Sequence, residues 1–178
     1  MRILGINCLN HDAAISVIED RKIIFAAHSE RYSRQKNDMH LNDEIIQEAL
    51  SYGEPDRIAY YERPWIKKTR QLYAGQYKEV FDLNNLPSKY LKPWIDSKKI
   101  NYIDHHLSHA ASTYYLSGFN ESLILTIDGS GEEHATIIWK GNGTNITKVK
   151  EINLPNSLGW FYSAITEFLG FKAYTGEG

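Results

Sequence analysis

The chain has 178 residues, 42% of them hydrophobic and 24% charged, at a formal net charge of −2. This is enough chain for one domain with a proper core, and the charge balance gives no basis for nucleic-acid or membrane-surface binding. No apolar run approaches the roughly 20 residues of a membrane span, Met1 to Asn7 is too short an apolar stretch for a signal peptide, and the single cysteine, Cys8, excludes an internal disulfide and suits a reducing cytoplasm.

In chain order, Ile3 to Cys8 reads as a buried strand. A polar turn follows, Leu9-Asn10-His11-Asp12. Ala13 to Ile18 and Lys22 to Ala27 are two further strands joined by Glu19-Asp20-Arg21, so the chain begins as an antiparallel meander. His28 to Asp38 is polar, cationic and aperiodic and is predicted as a loop. Its Arg31, Arg34 and Lys36 either face a cleft and hold an anion or are simply solvated, the commoner fate. Asn42 to Ser51 is predicted as a helix, with Asn42 as N-cap, Asp43 and Glu44 in the first turn and Ile45, Ile46, Ala49 and Leu50 as its apolar face. Arg57 to Tyr61 is a fourth strand. Arg63 to Pro93 reads least clearly: a helix over Lys67 to Phe81, with Pro64, Pro87 and Pro93 as breaks. Lys99 to Ile103 is another strand.

The second half repeats this order. A His-containing helix is followed by strands over Leu123 to Asp128, His134 to Trp139 and Asn145 to Ile152, with a hairpin turn at Gly141-Asn142-Gly143. A helix capped near Asn156 or Ser157 carries Leu158, Phe161, Ile165, Phe168 and Leu169 as its apolar face, and Gly170 closes it. The sequence stops at Ala173-Tyr174-Thr175-Gly176-Glu177-Gly178, where a fragment of a longer protein is expected. Ile3-Leu4-Gly5-Ile6-Asn7 falls on Ile124-Leu125-Thr126-Ile127-Asp128, and Ala14 to Ile18 on Ala135 to Trp139, an internal repeat good by pattern and weak by identity. Two such β-β-β-α units are the plan of the actin-like ATPase (ASKHA, ribonuclease H-like) α/β fold, a fold-level analogy.

The chemistry-bearing stretch runs from Asn101 to Glu133. His105 and His109 stand four apart, which on a helix brings two imidazoles onto one face where they can share a metal ion. On spacing alone, surface or core histidines are the commoner outcome. The conjunction with Asp128, an acidic residue at a strand end before the Gly-rich turn Gly129-Ser130-Gly131, raises the metal reading, because the carboxylate offers a third ligand and the turn offers backbone N–H groups to a phosphate. His106 is rotated by about 100° from His105 and is assigned a structural or supporting role.

Four stretches in order resemble one family: N-H-D-A-A-I-S-V-I at 10–18, E-R-Y-S-R-Q-K at 30–36, D-H-H-L-S-H-A-A-S at 104–112 and L-T-I-D-G-S-G-E at 125–132. They look like the N-terminal, Kae1-like part of the nodulation-protein-U and antibiotic O-carbamoyltransferase family, and F-K-A-Y-T-G-E-G at 171–178 resembles the approach to a further motif. The resemblance implies an enzyme whose longer members carry a C-terminal YrdC-like domain that makes carbamoyl adenylate from carbamoyl phosphate and ATP. The Kae1-like domain then passes the carbamoyl group to a hydroxyl of a small-molecule or sugar acceptor. It implies metal ligation by His105, His109 and Asp128 with a further aspartate outside this chain, an iron(II)-like ion whose donor set also suits zinc or manganese, catalysis by His11 with Lys36 near the reacting group, and nucleotide phosphate at Gly129, Ser130 and Gly131. The domain plan expected is a first unit at about 1–52, an insertion at about 63–98, a second unit at about 121–170 and no YrdC-like domain, so that this chain alone is inactive. Partners other than the donor and the acceptor are not implied; a homodimer is compatible, and the place expected is the cytoplasm. The rival readings are a threonylcarbamoyl-tRNA-type enzyme, which would want a more basic surface, a sugar or acid kinase, which leaves the histidine pair unexplained, and a non-catalytic metal- or nucleotide-binding module.

Overall fold

Alternate residues of the first strands, Leu4 and Ile6, then Ile15 and Val17, face the core of the N-terminal half. The computed structural model of the chain describes residues 1–173 and forms two compact units, one from Met1 to Ile103 and one from Asp104 onward. Of the ending expected to approach a further motif, residues 174–178 lie outside the described residues.

In the first unit, β1 (Arg2–Asn7), β2 (Ala14–Glu19) and β3 (Lys22–His28) form the expected antiparallel meander. Then α1 (Glu30–Ser33), α2 (Asp43–Ser51), β4 (Arg57–Tyr60), α3 (Pro64–Tyr73), α4 (Tyr77–Phe81), α5 (Pro87–Tyr90) and β5 (Ile100–Tyr102) follow. The sheet order is β3-β2-β1-β4-β5, with β4 parallel to β1 and β5 parallel to β4. Leu4, Ile6, Ile15 and Val17 share one core with Ile45, Ile46 and Ala49 of α2. The α2 start is capped as its sequence predicts, the Asn42 side chain accepting from Ile45 N at 3.0 Å. The Tyr60 hydroxyl donates to the Cys8 carbonyl at 2.7 Å, fastening the end of β4 to the end of β1. Burial pushes the Cys8 thiol up to about 12 and raises the Tyr60 phenol as well.

Two expectations change here. The stretch predicted as a loop over 28–38 contains α1, a four-residue helix too short to leave a periodic trace; it is fixed by Ser29, whose Oγ donates to the His40 carbonyl at 2.6 Å. The helix predicted over 67–81 is two helices. It starts earlier, because Pro64 occupies the first turn, where proline needs no N–H partner, and it is interrupted around Gly75, at φ +72°.

The second unit contains α6 (His105–Tyr114), β6 (Glu121–Gly131), β7 (His134–Asn142), β8 (Asn145–Asn153) and α7 (Leu158–Phe168). Its strands form an antiparallel sheet in the order β6-β7-β8. The internal repeat holds at the level of register: Leu4 faces Val17 and Ile6 faces Ile15, while Leu125 faces Ile138 and Ile127 faces Thr136. Each meander also carries an irregularity at the matching place, between Val17 and Ile18 and between Ile138 and Trp139. The apolar face expected for α7 is exposed among the described residues, Phe161, Phe168 and Leu169 included, and Thr166 is its buried residue. No helix among the described residues is long and apolar enough to cross a membrane.

Candidate metal centre

The helix α6 begins where Asp104 caps it, its Oδ1 accepting from Leu107 N at 2.9 Å. From that start, His106, Ala110 and Tyr114 fall on the buried face, following the helical period. His106 is the pin of this packing. Its ring nitrogens contact Thr126 Oγ1 at 2.9 Å and the His134 carbonyl at 3.1 Å. A carbonyl only accepts, so Nε2 carries the hydrogen and Nδ1 accepts from the Thr126 hydroxyl, which in turn accepts from Trp139 Nε1 at 3.1 Å. Burial lowers the His106 pKa, which agrees with this neutral tautomer. The expected structural or supporting role is the one the geometry gives it: His106 fixes the rotation of α6 on the β6–β7 hairpin.

With that rotation set, His105 and His109 present their Nε2 atoms to the end of β6. The two nitrogens are 3.1 Å apart, and Asp128 Oδ2 lies 2.7 Å from His105 Nε2 and 3.8 Å from His109 Nε2. The other Asp128 oxygen accepts from Gly129 N at 2.6 Å, so the carboxylate is held with one oxygen toward the imidazoles. His105 is buried and His109 exposed, leaving the group open on one side. Burial works against ionisation of Asp128, but the hydrogen bond from His105 and the nearby His109 imidazole outweigh it and hold its pKa well below the usual carboxylate range.

This donor set fits a divalent ion. One hydrogen on His105 Nε2 satisfies the three atoms only as a single bifurcated bond, whereas a cation accepts all three lone pairs at once. Ligand–ligand edges around an ion with bonds of about 2.1 Å are roughly 3.0–3.4 Å, and the three observed edges, 2.7, 3.1 and 3.8 Å, scatter about that range. Two imidazoles and a carboxylate with open positions suit iron(II), zinc or manganese. A glycine makes room for the group: a Cβ on Gly131 would collide with His105 Cδ2 and meet His106 Nε2 at 2.9 Å.

Gly129, Ser130 and Gly131 do not form the expected turn. They continue β6, and Gly131 pairs with His134; the turn falls at Glu132 and Glu133, with Glu132 at φ +58°. The reason is an irregularity in the ladder, which pairs Ile127 with Thr136, skips Asp128, Gly129 and Ser130 against one residue of β7, and resumes at Gly131 opposite His134, so that the reversal comes later. What holds this stretch is Ser157, whose hydroxyl contacts the carbonyls of Asp128 at 3.1 Å and Gly129 at 2.8 Å while accepting from Trp160 N as the cap of α7. Gly159 lets α7 approach, since a Cβ there would meet Gly129 N at 2.7 Å. Ser157 as a tie to the site was legible only as a helix cap.

His11 and Lys36 belong to the first unit. His11 lies in the turn after β1 with its side chain 69% exposed, and its Nδ1–H donates to Asp12 Oδ2 at 2.8 Å. The carboxylate can only accept, so Nε2 keeps its lone pair toward solvent. Lys36 is exposed on the segment after α1. Sequence reasoning missed Asp12 as the orienting partner; an acid next to a histidine is the signal that pointed to it.

Comparison with known proteins places these residues in a family. The family model described as "Carbamoyltransferase N-terminus" matches residues 2–79 and 59–178. Uncharacterized protein sll1178 of Synechocystis sp. is 31% identical over 208 residues, covering 98% of this chain and 33% of the relative. Uncharacterized protein MJ1051 of Methanocaldococcus jannaschii is 32% identical, covering 99% and 31%. Nodulation protein NolNO of Sinorhizobium fredii is 31% identical, covering 94% and 27%. The chain thus spans about a third of the length of the curated relatives it matches. Among solved structures, the PPX-GPPA enzyme of Aquifex aeolicus aligns with a TM-score of 0.44 at 15% identity, over 94% of this chain and 55% of that one.

Proposed function

The chain belongs to the carbamoyltransferase N-terminus family, and from that premise we propose that it is the acceptor-side module of an O-carbamoyltransferase with a Kae1-like, actin-like fold. The reaction is transfer of a carbamoyl group from carbamoyl adenylate to a hydroxyl of a small molecule or sugar, in the cytoplasm. The adenylate is made from carbamoyl phosphate and ATP by a YrdC-like domain. The observation that carries the reading is the convergence of His105, His109 and Asp128 on one point, from a helix and a strand end.

His11 acts as the base. With Nδ1–H engaged by Asp12, Nε2 is the atom that takes the hydroxyl proton. The acceptor oxygen then attacks the carbamoyl carbon, the bond to the adenylate phosphate breaks, and the phosphate leaves with the electron pair. Lys36 supplies positive charge to the carbonyl or phosphate oxygen as that charge grows. An ion held by His105, His109 and Asp128 would supply Lewis-acid stabilisation of negative charge.

The test is a pair of variants assayed with carbamoyl phosphate, ATP and a donor-forming domain. His11→Ala is expected to lower kcat at least 100-fold with metal content by elemental analysis unchanged. His105→Ala/His109→Ala is expected to lose the metal. Full turnover by His11→Ala, or undiminished metal in the double variant, overturns the assignment.

A further inference from the structure

The first unit contains a cavity of about 320 Å³ between the turn after β1, the start of α3 and the segment from α4 onward. That is the lower end of the size range of small-molecule sites. Its walls are dominated by polar side chains, and their charges are largely accounted for. Glu62, itself 6% exposed, is paired with Lys67 at 2.9 Å. Lys68 donates to the carbonyls of Glu79, Val80 and Asp82 at 2.9, 2.8 and 3.1 Å, so its ammonium is spent on holding the opposite wall in place. Burial lowers the Lys68 pKa.

What remains to meet a ligand is a set of amides. Gln71 of α3 lines the cavity at 9% exposure. Asn10, next to His11, and Asn84 line the same space. Asn84 is fixed at its backbone, Asp82 Oδ1 accepting from its N–H at 2.8 Å. Amides donate and accept in one group, as hydroxyls do, and they pair with vicinal hydroxyls at two points. Glu62, Glu79 and Asp82 against Lys67 and Lys68 leave the lining without excess positive charge, which disfavours a phosphorylated ligand.

We propose that this cavity is a binding site for a polyhydroxylated ligand without negative charge, a sugar or polyol, read chiefly by Gln71 and Asn84. Its identification with the carbamoyl acceptor rests on the function proposed above; the binding itself does not. The wall is preorganised, because the Lys68 clasp fixes the segment that carries Asp82 and Asn84 before any ligand arrives.

Saturation-transfer NMR and calorimetry with glucose, maltose and myo-inositol, against glucose 6-phosphate, test it. At least one of the three neutral probes is expected to bind at least tenfold more tightly than the phosphorylated sugar. Gln71→Leu is expected to weaken that binding at least tenfold with its far-UV spectrum intact. Asn84→Ala, at an exposed position, carries the test at about threefold or more if Gln71→Leu does not fold. No saturation transfer from any neutral probe means a water-filled cavity and overturns the proposal, as does preference for the phosphorylated sugar or binding indifferent to both variants. Binding is read without turnover, so its loss leaves His11 and the metal ligands untouched, and an inactive enzyme leaves the binding result untouched.

Discussion

The two meanders share a register and bury opposite faces. In the first unit Leu4 and Ile6 are 1% and 3% exposed; their counterparts in the second, Leu125 and Ile127, are 60% and 51% exposed. There the neighbours Ile124, Thr126, Ile137 and Trp139 are buried instead. Hairpin geometry and the shared irregularity set which residues face each other. The helix that arrives on one side sets which face is dry: α2, after the first meander, buries Ile45, Ile46 and Ala49, whereas α6, before the second, buries His106, Ala110 and Tyr114. The same contrast reaches the site. Asn7 and Asp128 occupy equivalent places in the repeat, but the Asn7 amide closes its own turn on the Asp12 carbonyl at 3.1 Å, while Asp128 turns its carboxylate to the histidines.

The sharpest break of this comparison is Gly131→Ala. The new methyl displaces His105, and metal affinity is expected to fall about 10–100-fold by competition with a chelator, with the first unit unaffected; unchanged affinity would mean the strand end yields freely. Next comes the pair Leu4→Ala and Leu125→Ala. The first should cost about 2–5 kcal/mol in urea unfolding, the second within about 0.5 kcal/mol; equal losses would mean the outer face of β6 is covered. Alkaline pH separates the units further. The Cys8 thiol is raised from 9.0 to about 12 by burial, so the folded state keeps its proton while the unfolded chain loses it. The resulting stability is complete below pH 9 and is lost as pH rises toward 12, by about 1 kcal/mol at pH 10, and Cys8→Ala should flatten that slope. The smallest difference is between the two caps. Asn42→Ala should cost about 1 kcal/mol, and Ser157→Ala somewhat more, because Ser157 also holds the carbonyls of Asp128 and Gly129.

Much of this was legible in the residues. The short apolar runs of Ile3 to Cys8 and Ala13 to Ile18, bounded by polar turns, named the strands, Asn42 named its helix start, and the spacing of His105 and His109 with Asp128 named the three residues that meet. What was not legible depends on tertiary partners. Periodicity does not say which face of β6 is buried, nor that Leu158, Phe161 and Phe168 would stay exposed. Gly129 to Gly131 look like a turn by composition but lie in a bulged stretch of strand, because pairing resumes at Gly131 opposite His134. The Gln71 cavity is assembled from stretches far apart in sequence, and an isolated glutamine in a helix gives no local signal.

The edges of the second sheet differ in one more respect. The β8 edge carries Lys148, Lys150 and Glu151, charges that discourage a foreign strand. On β6, Ser122 to Ile127 is uncharged and free of proline, and it has β7 as its single neighbour among the described residues. Such a segment is a template for self-templated aggregation. Leu125→Lys, on the exposed face, is therefore expected to lower aggregation at high concentration at little loss of stability.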